Sequence, residues 1–302
     1  MQLVFLGTGA SVPSPRRNVS ALAVKLGSDV VLFDCGEGTQ RQMMSSNASY
    51  MKIERVLITH LHGDHFLGLP GMMQTMHFSG RERKLEVIGP PGTVDMVRSV
   101  MDLGECAFGY DVEVRELEGG EVLHFPGYSI TAVRADHSVY ALSYVLEEDM
   151  RPGRFRPEEA LALGIPAGPM YRMLQEGETI EYKGVIVTPE EVIGPPRKGR
   201  KVAISGDTRP NEAFARAAWG ADVMVHEATL DDSHHANAAE YGHSTSVEAA
   251  EVALKARVKT LYLTHISARY EDASILEREA RAIFSNTVLA EDLMTVDVPL
   301  PD

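Results

Sequence analysis

Residues 59–65 of this chain are Thr59-His60-Leu61-His62-Gly63-Asp64-His65. It follows the apolar run at residues 56–58, which has the composition of a buried strand, so three imidazoles and a carboxylate fall on the turn where that strand ends. Neutral imidazole and carboxylate are the ligands that hold Zn²⁺ in hydrolytic sites, where one coordination position is left for water. The motif therefore predicts a metal centre at the edge of a sheet.

Other His and Asp residues follow predicted strands in the same way. His137 comes after residues 128–133, Asp207 after residues 202–204, and His265 after residues 260–263. Each of them taken alone is more often structural than a ligand. Because all three repeat the setting of the first motif, and one metal rarely uses so many ligands, the set predicts two metal sites.

The remaining pattern predicts a mixed α/β fold. Short β-branched runs bounded by Gly, Pro or Asp predict strands at residues 3–6, 30–33, 56–59, 85–88, 128–133, 202–204, 223–225 and 260–263. Helical periodicity is found at residues 94–103, 212–218, 247–256 and 275–284, and Ser244 and Ser246 are the predicted caps of the third helix. Strands in both halves, with helices between them, indicate helices packed outside two central sheets.

Composition narrows the class of protein. The 302 residues are 44% hydrophobic and 24% charged, which suits a globular chain with a large core. No stretch approaches the roughly 18 apolar residues of a membrane span, and residues 1–24 lack the pattern of a signal peptide, so we expect a cytoplasmic protein without a membrane partner. With only Cys35 and Cys106, neither a disulfide framework nor a thiolate metal site is expected.

The net charge of -14 argues against a nucleic-acid partner, because phosphate binding depends on Lys and Arg. Three local basic clusters point the other way: Arg16 and Arg17; Arg151, Arg154 and Arg156; and Arg197, Lys198, Arg200 and Lys201. Each cluster alone is equally well explained as an ordinary solvated loop.

The segment 149–199 interrupts the alternation of strands and helices. It is rich in Pro, Gly, Arg and Glu, and we interpret it as an insertion that projects from a single domain spanning residues 1–302. The alternative is a disordered linker. An apolar stripe at helical spacing, which a linker would not need, favours the insertion; it consists of Met170, Tyr171, Met173 and Leu174.

An HxHxDH turn followed by isolated His, Asp and His resembles the metallo-β-lactamase superfamily. This resemblance implies an αββα sandwich with two Zn²⁺ ions per subunit at its edge. It implies that one ion is held by His60, His62 and His137, the other by Asp64, His65 and His265, with Asp207 bridging both.

Further blocks resemble the ribonuclease Z family within that superfamily, rather than lactamases or glyoxalases. They are Phe5-Leu6-Gly7-Thr8-Gly9-Ala10, Arg17-Asn18-Val19-Ser20, Phe33-Asp34-Cys35-Gly36-Glu37-Gly38-Thr39, His226-Glu227-Ala228-Thr229, Gly242-His243-Ser244-Thr245 and Thr264-His265-Ile266-Ser267. The similarity covers residues 3–270. It implies a zinc-dependent endoribonuclease that hydrolyses one phosphodiester bond to remove the 3′ trailer of precursor tRNA, leaving a 3′-hydroxyl on the tRNA.

Catalytic roles follow from this resemblance and from elementary chemistry. Asp64, a ligand beside the attacking water, is the expected proton acceptor. His243, paired with Glu227, is the expected proton donor to the leaving oxygen, because a carboxylate fixes an imidazole's tautomer and raises its proton affinity. Glu227 and His243 could alternatively form a structural buried pair.

The resemblance also implies how RNA is bound. In that family an inserted arm grips the body of tRNA; segment 149–199 occupies the corresponding place, and residues 164–171 resemble the arm's Gly-Pro stretch. The expected phosphate contacts are Arg16, Arg17, Arg151, Arg154, Arg156 and Arg269. Ala268 departs from the family, where Ser is frequent, and puts a phosphate contact at that position in doubt.

Relatives form a dimer in which the region after the first ligand turn takes part, so we expect a homodimer. The stripe of Met72, Met73 and Met76 has helical spacing and is more often core than a cofactor-binding motif, but exposed Met side chains together with Phe78 would suit a dimer.

Two rival functions share these features. One is a zinc phosphodiesterase or another small-substrate hydrolase of the same fold, for which a basic insertion has no use. The other is a non-catalytic RNA-binding or scaffold protein, whose usual signature is the loss of ligands, and here every expected ligand is present.

Overall fold

The computed structural model describes residues 1–105 and 108–301, so Cys106 lies outside the described residues, and Cys35 is a buried free thiol. Most of the chain forms two sheets. In spatial order, the first sheet contains Thr295–Asp297, Gln2–Gly7, Ala21–Leu26, Asp29–Phe33, Ile53–Leu57, Leu85–Gly89 and Val112–Glu116. The second contains Thr287–Leu289, Thr260–Thr264, Val223–Glu227, Lys201–Ile204, Leu142–Glu148, Tyr128–Arg134 and Val122–Phe125.

Two short strand pairs accompany the sheets. Gly9–Ala10 pairs with Ile266–Ser267, and Ile180–Tyr182 pairs with Val185–Val187. The eight predicted strands are all present with shifted ends; the one predicted at residues 56–59 is Ile53–Leu57, so the ligand motif begins beyond it.

The helices lie between these strands in the chain. They are Thr39–Met44, Gly63–Phe66, Leu69–Phe78, Thr93–Met101, Pro157–Ala162, Pro169–Gln175, Pro189–Val192, Glu212–Ala217, His235–Tyr241, Ser246–Lys255 and Ser274–Ile283, with 3₁₀ turns at Tyr50–Lys52 and Asp232–His234. Within the described part of the chain, a helix with the length and apolar character needed to cross a bilayer is not found.

Apolar side chains on both faces of the strands produce the layered core. In Gln2–Gly7, Leu3 and Phe5 pack between the two sheets, whereas Val4 and Leu6 face the opposite way, because side chains alternate along a strand. The outer face of the first sheet is covered by helices Thr39–Met44, Leu69–Phe78 and Thr93–Met101. Helices Glu212–Ala217, Ser246–Lys255 and Ser274–Ile283 cover the second sheet. This αββα sandwich confirms the predicted fold class.

The predicted caps of helix Ser246–Lys255 are wrong. Its N-cap is Thr245, which accepts from the Glu248 backbone N–H while the Glu248 carboxylate accepts from the Thr245 N–H. Ser244 and Ser246 instead donate to the Thr208 carbonyl and to Glu279. Of the three consecutive hydroxyl residues, Thr245 is the one directly before the helix, and its extended backbone allows its oxygen to reach the Glu248 N–H in the first turn.

The methionine stripe of helix Leu69–Phe78 is core, as its composition favoured. Met72, Met73 and Met76 are fully buried under the first sheet, so they do not form an exposed dimer surface. Phe78, at the end of the same helix, is 78% exposed.

The structure divides into two compact units. One comprises residues 1–147 and 200–299, and contains both large sheets; the other comprises residues 148–199 and 300–302. The second unit has an apolar cluster of its own, which consists of Ala160, Ile165, Leu174, Ile180, Val187 and Val192. Of the predicted apolar stripe, Leu174 is buried in that cluster, and Met173 is partly exposed.

Candidate metal centre

The HxHxDH loop is held between the two sheets by backbone pairing. The Thr59 carbonyl accepts from the Leu142 N–H at 2.8 Å, and His60 forms a β-bridge with Ala141. Asp34, at the end of Asp29–Phe33, accepts from both the N–H and the hydroxyl of Thr59, at 2.7 and 2.9 Å. The loop that carries the candidate metal-binding side chains is therefore held in place by hydrogen bonds within the protein itself.

The structure brings His60, His62, His137 and Asp207 into one group, whose candidate ligand atoms all lie within 4.8 Å of one another. The His62 Nδ1 is 2.9 Å from the His60 Nε2 and 3.3 Å from the His137 Nε2. The Oδ2 of Asp207 is 3.6 Å from the His60 Nε2.

A second group consists of Asp64, His65 and His265. The Asp64 Oδ2 is 3.6 Å from the His65 Nε2 and 3.4 Å from the His265 Nε2. The same Oδ2 of Asp207 that faces the first group is 3.4 Å from the His65 Nε2 and 3.3 Å from the His265 Nε2. Asp207 thus stands between the two groups, with one oxygen facing both.

The far nitrogens of four of these imidazoles contact oxygen atoms, and for His60 the Nδ1 is 3.0 Å from the Thr59 hydroxyl. The Nδ1 of His65 is 2.7 Å from the Asp34 Oδ2, that of His137 is 2.7 Å from the Gly242 carbonyl, and that of His265 is 2.9 Å from the Thr229 hydroxyl. Such partners orient an imidazole so that its other nitrogen faces a metal.

Asp34, Thr229 and Gly242 were not among the predicted site residues. Asp34 carried a usable signal, because it follows a strand as Asp207 does. Thr229 and Gly242 belong to the blocks His226-Glu227-Ala228-Thr229 and Gly242-His243-Ser244-Thr245, but the sequence did not indicate their roles, since the partner of a hydroxyl or a carbonyl is unknown until its neighbour in space is known.

The residues present fit a metal. The Nε2 of His65 is buried and has no hydrogen-bond partner, although it faces two carboxylates; a cation there would satisfy it. His and Asp donors without thiolates suit a divalent ion such as Zn²⁺. Together with the fold, this cluster indicates that the chain uses metal.

Burial favours the neutral, metal-binding form of three of these imidazoles. It lowers the pKa of His60 well below its usual value, and those of His62 and His137 to a lesser extent, so their imidazoles are neutral. For Asp207, burial favours the neutral acid, but His265, His65 and His60 outweigh it and hold the pKa well below its usual value.

His65 behaves differently from the other ligand candidates. Burial disfavours its charged form, yet the carboxylates of Asp207 and Asp34 outweigh burial and raise its pKa well above the usual value. A proton therefore competes with a metal for this imidazole, and metal binding at this position weakens as the pH falls.

The Asp64 carboxylate has a further partner in the N-terminal loop. Its Oδ2 accepts from the Ser11 N–H at 2.7 Å, and Ser11 has a positive φ of 62°. His265 also has a positive φ, 56°. Non-glycine residues rarely adopt this conformation, and such residues are concentrated at functional sites.

His243 and Glu227 lie beside both groups. The His243 Nδ1 is 3.0 Å from the Glu227 Oε1 and 3.9 Å from the Asp207 Oδ2, while its ring centroid is 5.4 Å from that of His265. Burial lowers the pKa of His243, but the charge and hydrogen bond of Glu227 outweigh it and raise the pKa to about 9. His243 is therefore protonated at neutral pH.

Three of the predicted RNA contacts lie in the unit with the metal centre. Arg16 and Arg17 line a cleft of about 910 Å³ together with Ser267 and Tyr270. Arg16 is exposed and donates to the Glu271 carbonyl. Arg17 is half-buried and donates to the Thr8 hydroxyl and the Ala290 carbonyl, so its guanidinium already has structural partners. Arg269 is exposed.

The other three predicted contacts lie in the second unit. Arg154 is exposed. Arg151 donates to the carbonyls of Lys198 and Pro301, and Arg156 lies 4.0 Å from Glu159. Of the three, Arg154 is exposed, whereas Arg151 and Arg156 are half-buried.

Two sheets between helical layers, with clustered His and Asp at the strand ends, define a metal-dependent hydrolase of the metallo-β-lactamase fold. YhfI from Bacillus subtilis, a metallo-β-lactamase fold protein, has the same fold with a TM-score of 0.69 over 98% of both chains, at 17% identity. Residues 1–150 match the family described as anti-Pycsar protein Apyc1.

Full-length relatives are more specific. Ribonuclease Z from Methanothermobacter thermautotrophicus is 47% identical over 302 residues, which are 100% of this chain and 98% of that protein, and ribonuclease Z from Myxococcus xanthus is 44% identical over 100% and 99%. The crystal structure of the short form of human tRNase Z matches with a TM-score of 0.72 at 30% identity, over 99% of this chain and 100% of that one. The chain belongs to the ribonuclease Z family. The predicted family and enzyme class, a hydrolytic endoribonuclease, are confirmed.

Proposed function

We propose that this enzyme removes the 3′ trailer from precursor tRNA with two Zn²⁺ ions per subunit, leaving a 3′-hydroxyl on the tRNA. The observation that carries the proposal is the joint arrangement of the two ligand groups, the shared Asp207 oxygen between them, and the adjacent His243–Glu227 pair. Membership of the ribonuclease Z family supplies the substrate class.

The first group, His60, His62 and His137, would hold one ion, and Asp64, His65 and His265 would hold the other, with Asp207 shared. When bound, two such ions lower the pKa of a water molecule and stabilise the charge on the phosphate oxygens. The protein's part is to hold the ligands in register, which the partners Asp34, Gly242 and Thr229 do.

The chain's own acid–base groups complete the reaction. Water forms the new bond to phosphorus, the bond from phosphorus to the tRNA O3′ breaks, and Asp64 takes the proton that water loses. His243 returns a proton to O3′. Because its Nδ1 faces Glu227, the Nε2 is the nitrogen that can donate to the leaving oxygen.

RNA binding would draw on local basic residues rather than on net charge. We propose that residues 149–199 form the tRNA-binding arm of a single catalytic domain, with Arg151, Arg154 and Arg156 contacting phosphates. Arg16 and Arg269 would contact the RNA near the metal centre, and Arg17 would do so only by giving up its present partners. This division explains how a chain of net charge -14 can bind RNA.

Two further properties belong to the same proposal. The enzyme would act in the cytoplasm, where it would meet precursor tRNA. It would be a homodimer in which Phe78, at the exposed end of helix Leu69–Phe78, takes part.

The decisive experiment is cleavage of paired precursor tRNAs, with and without an encoded CCA, by zinc-loaded protein. We expect a single endonucleolytic cut near the end of the acceptor stem, found by mapping both product ends, with a 3′-hydroxyl on the tRNA. Efficient hydrolysis of bis(p-nitrophenyl) phosphate without any such cut would favour a small-substrate phosphodiesterase and contradict the proposal.

A further inference from the structure

The hydroxyl group of Thr229 lies between the His243–Glu227 pair and the second ligand group. The Oγ1 of Thr229 is 2.7 Å from the Oε2 of Glu227 and 2.9 Å from the Nδ1 of His265. Thr229 is 7% exposed, and both of its partners are more deeply buried. Glu227 is the partner of His243, and His265 belongs to the second ligand group.

The directions of these two hydrogen bonds follow from the number of protons available. A threonine hydroxyl has one proton to donate, and an ionised carboxylate can only accept. The other oxygen of Glu227, Oε1, already accepts from the Thr208 N–H at 2.8 Å and from His243. The Thr229 proton therefore points to Glu227, and the Thr229 oxygen is left to accept from His265.

This direction decides the tautomer of His265. Its Nδ1 must carry the proton that Thr229 accepts, so in the neutral imidazole, the form that binds a metal, the Nε2 keeps its lone pair. That Nε2 is the atom that lies 3.3 and 3.4 Å from the carboxylates of Asp207 and Asp64, on the side where a metal would bind. A tautomer with the proton on Nε2 would have no lone pair to offer there.

We infer that Thr229 is a positioning residue that fixes His265 as an Nε2 metal ligand and, through the same hydroxyl, fixes the Glu227 carboxylate that orients His243. The inference rests on the proposed function, because it takes His265 as a ligand and His243 as the proton donor. Thr229 thus couples metal binding to proton donation.

The test uses Thr229→Val, which keeps the shape of the side chain and removes the hydroxyl, and Thr229→Ser, which restores the hydroxyl. Zinc affinity is measured by competition with a chelator, and kcat and KM with bis(p-nitrophenyl) phosphate and precursor tRNA. Loss of an outer partner of a metal ligand typically costs about 10–100-fold in affinity or activity. We expect a loss of that size in zinc affinity and in kcat for the valine variant, little change in KM for tRNA, and recovery in the serine variant.

Thr287→Val is the matched control. Thr287 is fully buried and donates its hydroxyl to the Phe284 carbonyl, away from both ligand groups, so its substitution removes one internal hydrogen bond without touching the site. We expect wild-type zinc affinity and kcat from this control. Wild-type zinc affinity in Thr229→Val, or a serine variant as impaired as the valine variant, would overturn the inference.

A measurement on the unaltered protein covers the case in which Thr229→Val does not fold. Long-range ¹H–¹⁵N NMR of the zinc-loaded wild type should find His265 bound through Nε2 with a proton on Nδ1. Coordination through Nδ1 would overturn the inference. Failure of the proposed function would give a different result, because the wild-type protein itself would then not bind zinc or would not cut precursor tRNA.

Discussion

At the residue scale, the charge of Glu227 decides the protonation of His243. Burial alone would lower the His243 pKa, and the nearby carboxylate more than reverses that effect. A proton donor must hold its proton at the pH of the reaction, so activity that depends on His243 falls as the pH rises through its pKa. Glu227 therefore extends the active range towards higher pH.

This reasoning predicts the effect of Glu227→Gln. With the negative charge removed and burial unchanged, the His243 pKa falls, so the alkaline limb of the kcat profile should move to lower pH. The measurement is kcat against pH for precursor tRNA cleavage. His243→Ala should lower kcat by about 10²–10⁴-fold and retain zinc.

His235→Gln is a suitable control, because this exposed histidine also has a carboxylate partner, Glu248 at 3.1 Å, but lies outside the ligand groups. Its profile should match the wild type. An unchanged alkaline limb in Glu227→Gln, or only a few-fold loss in His243→Ala, would contradict the assigned proton donor.

At the element scale, the start of helix Ser246–Lys255 controls the segment that carries His243. The capping box between Thr245 and Glu248 ends the loop two residues after His243, and Thr245 also forms a β-bridge with Leu230. The cap thus fixes where the helix begins and where the loop before it must run.

Thr245→Ala should lower the free energy of unfolding by about 1 kcal/mol, the typical cost of losing a side-chain N-cap. Thr245→Ser keeps the accepting oxygen and should differ little from the wild type. Urea denaturation of the two variants, compared at equal metal content, measures the difference. Equal loss in both variants would mean that the threonine methyl group, and not the cap, stabilises this helix.

At the scale of the whole molecule, charge is distributed unevenly over an acidic chain. If residues 149–199 bind tRNA and the metal centre cuts it, changes in residues 149–199 should not affect the hydrolysis of substrates that reach only the metal centre. A small diester and precursor tRNA therefore separate the two contributions.

Arg154→Ala combined with Arg156→Ala should raise KM for precursor tRNA several-fold and leave hydrolysis of bis(p-nitrophenyl) phosphate within about twofold of the wild type. The dependence of tRNA binding on salt should also weaken, by about one unit of logarithmic slope for each phosphate that the variant no longer neutralises. Arg98→Ala controls for the removal of positive charge, since Arg98 is exposed and paired with Asp95 on helix Thr93–Met101. Equal effects of the control and the double variant would contradict a binding role for the arm.

Much of the architecture could be predicted from the sequence, because its signals are local. Short continuous apolar runs in strands such as Gln2–Gly7 and period-3.6 patterns in helices such as Ser274–Ile283 indicated the two sheets and their outer helices. The ligand types were equally visible, since His and Asp that recur directly after strands need no knowledge of distant neighbours.

Tertiary structure alone determines which distant atoms come into contact. His65 finds Asp34 31 residues away, His265 finds Thr229 36 residues away, and His137 finds the Gly242 carbonyl 105 residues away. The cap of Ser246–Lys255 was mispredicted for a related reason, because backbone conformation chose among three neighbouring hydroxyl residues. Residue type and the local periodicity of apolar residues indicated which positions could carry metal ligands. Packing of distant segments determined the hydrogen bonds that set their tautomer, charge and direction, since a hydrogen bond depends on distances that local sequence does not encode.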